Sequence, residues 1–117
     1  EGGTMVGYRL KDGDKVLIIE DVITSGASLR ECMPILKAAA NIELLGLIVS
    51  VDRMERGTGD KTAIQEAYDT YGIKTYPIVT VREVIDTLHN TPIDGKVYID
   101  DEMKAKMEAY LDQYCVK

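Results

Sequence analysis

The chain has 117 residues, 45% of them hydrophobic and 29% charged, with a formal net charge of −6. That length fits one domain with a core of its own, leaves no room for a second, and contains no apolar run near the roughly 20 residues that a membrane helix needs. Net acidity argues against a binder of nucleic-acid backbones, which needs Lys and Arg clustered on one face, but is compatible with a local phosphate site.

Cys32 and Cys115 are far apart and in no CxxC pattern, so two reduced thiols and a cytoplasmic location are expected. The chain opens on Glu1 with no basic n-region or cleavage signal, and is expected to be part of a longer protein.

Taken in order, Val16-Leu17-Ile18-Ile19 and Leu44-Leu45-Gly46-Leu47-Ile48-Val49 are near-continuous apolar runs. They predict central strands of a parallel sheet, buried on both faces. Between them Leu29, Cys32, Met33, Leu36, Ala39 and Ala40 recur at helical spacing, with Ser28 to Glu31 as a capping box. Pro34 lies beyond the first turn of that helix and predicts a local kink. A second helix opens at Thr62-Ala63-Ile64-Gln65, carries a stripe of Ile64, Ala67, Tyr68 and Tyr71, and stops at Gly72. Tyr76 to Val79 reads as a strand whose Pro77 places it at an edge or on a bulge. Thr80-Val81-Arg82-Glu83 caps a third helix that ends about Asn90. A short strand at Val97-Tyr98-Ile99 leads to a last helix through Met103, Met107, Tyr110, Leu111 and Tyr114. This alternation predicts an open, mostly parallel α/β sheet with flanking helices, Rossmann-like in class, with residues 1–117 as one domain portion.

Ligands of open α/β sheets gather at the carboxyl ends of the strands, which here means Glu20-Asp21-Val22-Ile23-Thr24-Ser25-Gly26-Ala27-Ser28. Thr24, Ser25 and Ser28 supply hydroxyls, Gly26 allows close backbone approach, and the helix that follows presents free amides at its positive end. The two carboxylates would repel a bare polyphosphate but can accept from sugar hydroxyls, so a sugar phosphate suits the loop better than a nucleoside triphosphate. It is neither a Walker loop nor GxGxxG. A strand ending in acids before a Ser/Thr/Gly turn also occurs without any ligand, and spacing alone leaves both readings open.

The segment Val16 to Ser28 resembles the phosphoribosyl-pyrophosphate signature of the type I phosphoribosyltransferases. That resemblance implies that Glu20 and Asp21 bind the ribose 2′ and 3′ hydroxyls and that Thr24 to Ser28 wrap the 5′-phosphate. Orotate enzymes often have two aspartates where this chain has Glu20-Asp21. Downstream, Asp52-Arg53-Met54-Glu55-Arg56-Gly57 reads on its own as a solvated charged loop with ion pairs of little worth. It is nevertheless similar to the DRxERG element of orotate phosphoribosyltransferases, and Ala63-Ile64-Gln65-Glu66 to their following helix. The resemblance implies that Arg53 contacts the orotate carboxylate and that Thr24 approaches the base. Glu1-Gly2-Gly3 is similar to the EGG that follows a Lys-bearing catalytic loop in that family, so the chain resembles the family's later half.

The implied reaction joins N1 of orotate to the anomeric carbon of phosphoribosyl pyrophosphate and gives orotidine 5′-phosphate and pyrophosphate. Glu20 and Asp21 would stabilise positive charge on the ribose ring, and Mg²⁺, held mainly by substrate and water, would neutralise the leaving group. A homodimer is implied for the full-length protein, and negligible turnover for this portion alone. The alternative is a regulatory module that senses phosphoribosyl pyrophosphate without catalysis. His89 is expected at a helix C-terminus, Tyr68, Tyr71, Tyr110 and Tyr114 in the core, and Asp100-Asp101-Glu102 as a helix N-terminal charge run.

Overall fold

The computed structural model describes residues 5–116, so Glu1-Gly2-Gly3 lies outside the described residues. Three strands, β1 (Lys15–Ile23), β2 (Glu43–Asp52) and β3 (Thr75–Thr80), form a parallel sheet in the order β1-β2-β3. Helices α1 (Ala27–Ala39) and α2 (Ala63–Tyr71) make the two crossovers. After β3 come α3 (Val81–Leu88), the two-residue strands β4 (Pro92–Ile93) and β5 (Lys96–Val97), and α4 (Asp101–Tyr114).

Local chemistry explains most of these boundaries. Thr62 and Thr80 each cap a helix with a complete capping box, closed by Gln65 and Glu83. Gly72 ends α2 in the left-handed region at φ 69°, its N–H donating to the Tyr68 carbonyl. Asp100 caps α4 by accepting the Met103 amide at 2.8 Å, with Asp101 and Glu102 in the first turn. Pro77, on β3, pairs with Val49 of β2, and β3 is an edge of this sheet, where a proline is tolerated.

Four expectations are corrected. β1 is not central: β2 alone has a strand on each side among the described residues. Neither apolar run is buried on both faces. Ile18, Ile23, Leu47 and Val49 pack against Leu29, Met33, Leu36, Ala63, Ala67 and Ile73, whereas Ile19 in the first run is 75% exposed and Leu45 in the second 46%, because no described element covers the opposite face. The expected strand at Val97-Tyr98-Ile99 is instead a hairpin of β4 with β5, closed by Asp94 at φ 51° and Gly95 at φ 77°. Both central turn residues have positive φ, as a type I′ turn requires, and Asp-Gly is the sequence that suits it. Ile99 is buried and forms a lone parallel bridge with His89. The tyrosines do not fill the core: Tyr68, Tyr110 and Tyr114 are exposed and Tyr71 is half-buried. A tyrosine suits the rim of an apolar stripe, because its ring is apolar and its hydroxyl needs a polar partner.

Helix α1 runs unbroken through Pro34, which stands on its exposed side, where water can replace the lost partner of the Arg30 carbonyl. A second small core, Ile85, Leu111 and Cys115 with Met54, Val81 and Met107 around it, joins α3 to α4. That cluster ties the end of the chain to the loop after β2.

Candidate functional site

The turn from β1 into α1 departs from the expected capping box. Gly26 is the N-cap, in the left-handed region at φ 78° and ψ 13°, and α1 begins at Ala27 with no side-chain cap. Ser28 therefore lies inside the first turn, and its hydroxyl is not engaged in capping. The amides of the first turn are left facing the loop, and so are the hydroxyls of Thr24, Ser25 and Ser28. Glu20, Val22, Ile23 and the run Thr24 to Leu29 line a cavity of about 70 Å³ there, closed beneath by Leu47. A small anion is the ligand that such a concave set of donors favours.

The acidic pair is divided by the pleat. Glu20 follows Ile18 onto the face covered by α1, and its charge, after burial, helps to push the Cys32 thiol above its ordinary value. Asp21 follows Leu17 and Ile19 toward the open face, its carboxylate accepting the Val22 amide at 2.7 Å. Glu20 lines the cavity and Asp21 does not.

Arg53 follows directly on β2. Its guanidinium pairs with Glu55 and donates to the Tyr110 hydroxyl at 3.0 Å, and that hydroxyl donates to Glu55 at 2.8 Å. The bond to Glu55 pushes the Tyr110 phenol above its ordinary value. Helix α4 also holds the loop through the Arg56 amide on the Tyr114 carbonyl at 2.9 Å, the Arg56 guanidinium on the Gln113 carbonyl at 2.6 Å, and Cys115 Sγ on the Arg53 carbonyl at 3.4 Å. Met54 sits at φ 60°, a strained position for a non-glycine residue, fixed by the Asp52 carboxylate accepting its amide at 2.8 Å. The structure thus gives Arg53 a cleft with Glu55, Val81, Met107, Tyr110 and Leu111, apart from the cavity that Thr24 lines.

The two loops meet elsewhere. A cleft of about 250 Å³ has Ser25, Gly26 and Arg30 on one wall and Thr58, Ala63 and Glu66 on the other. The Arg30 guanidinium donates to the Ser25 carbonyl at 2.8 Å. Sequence reasoning missed α4 as the support of the Arg53 loop, because the i, i+4 tyrosines Tyr110 and Tyr114 read equally well as core. It also missed Arg30 and Glu66 as loop partners; the nearest signal was an acid on a helix start placed shortly after a glycine-rich turn.

Residues 4–70, which include both loops, match the family model of the phosphoribosyl transferase domain. Among curated relatives, the orotate phosphoribosyltransferase of Lachnoclostridium phytofermentans is 52% identical over 115 residues, covering 98% of this chain and 51% of its own length. That of Clostridium acetobutylicum is 50% identical over 115 residues with the same coverage, 98% and 51%. The chain therefore spans about half the length of the curated relatives that it matches. Among solved structures, UMP synthase of Leishmania donovani superposes with a TM-score of 0.69 at 23% identity, over 89% of this chain and 20% of that one. Orotate phosphoribosyltransferase of Francisella tularensis gives 0.64 at 24%, over 86% and 46%; at such identities the likeness is one of fold. With the parallel sheet, the turn from β1 into α1 and the matched span of residues 4–70 in agreement, the chain belongs to the phosphoribosyl transferase domain family.

Proposed function

We propose that this chain is the portion of an orotate phosphoribosyltransferase that holds phosphoribosyl pyrophosphate and reads the orotate ring. The observation that carries the reading is the loop after β1: hydroxyls and first-turn amides around a small cavity at the carboxyl end of a parallel strand, with Glu20 beside them. The relatives that match almost the whole chain at about half identity favour orotate as the base.

In this reading Thr24, Ser25, Gly26, Ala27 and Ser28 take the 5′-phosphate, Glu20 accepts from the ribose hydroxyls, and Val22 and Ile23 form the floor; for Asp21 to take the second of the 2′ and 3′ hydroxyls, its side chain has to leave the Val22 amide and turn toward the cavity. The bond from orotate N1 to the anomeric carbon forms as the bond from that carbon to the pyrophosphate oxygen breaks; the electron pair leaves with pyrophosphate, and the proton that N1 gives up passes to solvent. Positive charge that develops on the ribose ring is stabilised by the fixed carboxylates, Glu20 above all because it lines the cavity. Arg53 pairs with the orotate carboxylate, the group that distinguishes orotate from uracil, and Thr24 approaches the base. For Arg53 to do so, the substrate carboxylate has to replace that of Glu55.

Magnesium takes hard oxygen ligands and keeps several waters. Glu20 and Asp21 face opposite sides of β1 and do not converge, so the residues present fit an ion carried mainly by substrate oxygens. Such an ion would supply the charge that neutralises the departing pyrophosphate. A cytoplasmic location and a homodimer of the whole enzyme complete the proposal.

The test is Arg53→Ala in a chimera that joins residues 1–117 to the complementary half of the Lachnoclostridium phytofermentans enzyme. A charge-assisted hydrogen bond contributes about 1.5–3 kcal/mol, so kcat/KM for orotate should fall on the order of 10- to 100-fold, with KM for phosphoribosyl pyrophosphate little changed. Equal effects on both substrates would mean that Arg53 supports the loop and does not read the base.

A further inference from the structure

Glu66 stands in the first turn of α2 and accepts from the loop that follows Arg53. The Thr58 amide donates to its Oε2 at 3.0 Å, the Gly59 amide to its Oε1 at 2.8 Å, and the Thr58 hydroxyl lies 3.2 Å from both oxygens. One carboxylate thus accepts from three donors of a single turn: two amides, one on each oxygen, and a hydroxyl placed to share its single hydrogen between them. Gly57 permits the approach: a Cβ built there would lie 2.1 Å from Glu66 Oε2 and 2.5 Å from its carboxyl carbon. On the other side of the same cleft is Arg30, whose guanidinium holds the Ser25 carbonyl. Its charge helps to keep the Glu66 carboxyl below its ordinary range, after the larger effect of the Thr58 and Gly59 amides.

We propose that Glu66, with Gly57 opposite it and Arg30 across the cleft, is a positioning residue that clamps the loop carrying Arg53 against the phosphate loop. Sequence separation makes such a clamp necessary. β1 and β2 fix where each loop begins, but nothing in the sheet fixes how residues 57–61 return toward the cleft. Helix α2 is capped by Thr62 with a complete capping box, so its first turn is a rigid place from which to hold them. The Gly57 amide on the Lys61 carbonyl at 2.8 Å closes the turn on itself, and Glu66 ties that closed turn to the helix. The clamp touches neither base nor ribose. Its effect on the reaction therefore passes through the placement of the loop, and that part of the inference rests on the function proposed above.

Two variants test it. Glu66→Gln keeps one acceptor and turns an NH₂ toward an amide donor; Gly57→Ala expels the carboxylate from the opposite side without altering it. In the 117-residue chain, each should speed hydrogen exchange of the Thr58 and Gly59 amides roughly tenfold or more, as expected for loss of a charge-assisted bond. The affinity of the phosphate loop for ribose 5-phosphate should stay within about twofold of the parent in the same variants, since no phosphate donor is removed. In the chimera each should raise KM for orotate by about tenfold and KM for phosphoribosyl pyrophosphate much less. Unchanged exchange at both amides would overturn the clamp, and so would an equal rise in both KM values. A parent chimera that forms no orotidine 5′-phosphate would count against the substrate assignment alone, because the exchange measurement still decides whether the clamp exists.

Discussion

Gly26 shows how one backbone angle sets the chemistry of the loop after β1. At φ 78° it turns the chain out of β1 and starts α1 at Ala27, one residue before the Ser28 cap that the sequence suggests. Had Ser28 been the cap, its hydroxyl would have been directed at a backbone amide of its own helix instead of at the cavity. The left-handed region costs an L-residue with a Cβ about 1 kcal/mol or more. The added Cβ would also meet Arg30 Nη1 at 3.4 Å. Gly26→Ala should therefore lower stability by about 1 kcal/mol, seen as a lower denaturant midpoint at unchanged slope. No loss of stability would mean that the turn can relax out of the left-handed conformation and does not depend on glycine.

At the scale of elements, the join between α3 and α4 is electrostatic at its tip. His89 caps α3 and its Nε2 lies 2.7 Å from Asp101 Oδ1, which also accepts from Asn90 Nδ2 at 3.0 Å. The His89 bond first, and Asn90 second, hold the Asp101 carboxyl below its ordinary range. A carboxyl whose pKa is lowered by folding contributes stability above its unfolded value, near 3.9, and loses it as pH falls through the lower folded one. NMR titration of Asp101 should show a midpoint below that value, and His89→Ala should bring it most of the way back. A midpoint unmoved by the substitution would show that Asn90 or the helix end is responsible.

The same elements show what a sequence can and cannot reveal. Thr62 with Gln65, Thr80 with Glu83, Gly72 and Pro77 act through local rules, so the caps, the stop and the sheet edge were legible. The Asp94-Gly95 hairpin was also a local signal, but a weak one between strands of two residues each, and the apolar pair Val97 and Ile99 obscured it. Glu55 with Tyr110 and Arg56 with Gln113 join residues more than fifty positions apart, and no periodicity marks such pairs. The turn from β1 into α1 was legible because its hydroxyls and its glycine lie in one contiguous run. The placement of Arg53 was not, because α4 decides it.

Over the whole molecule, one face of the sheet is packed and the other is not. Leu17, Ile19, Tyr76 and Ile78 stand exposed on β1 and β3, and parallel sheets are ordinarily covered on both faces. The chain spans 51% of the length of the Lachnoclostridium phytofermentans relative. The loop after β1 is built from β1, α1 and the core beneath them. The central claim, that this loop is the phosphate site, can therefore be tested on the chain itself by titrating the ¹⁵N-labelled protein with ribose 5-phosphate and following each amide. The account predicts saturable shifts centred on Ser25, Gly26, Ala27, Ser28 and Leu29. Saturable shifts centred on another loop, with these five amides unmoved, would contradict it.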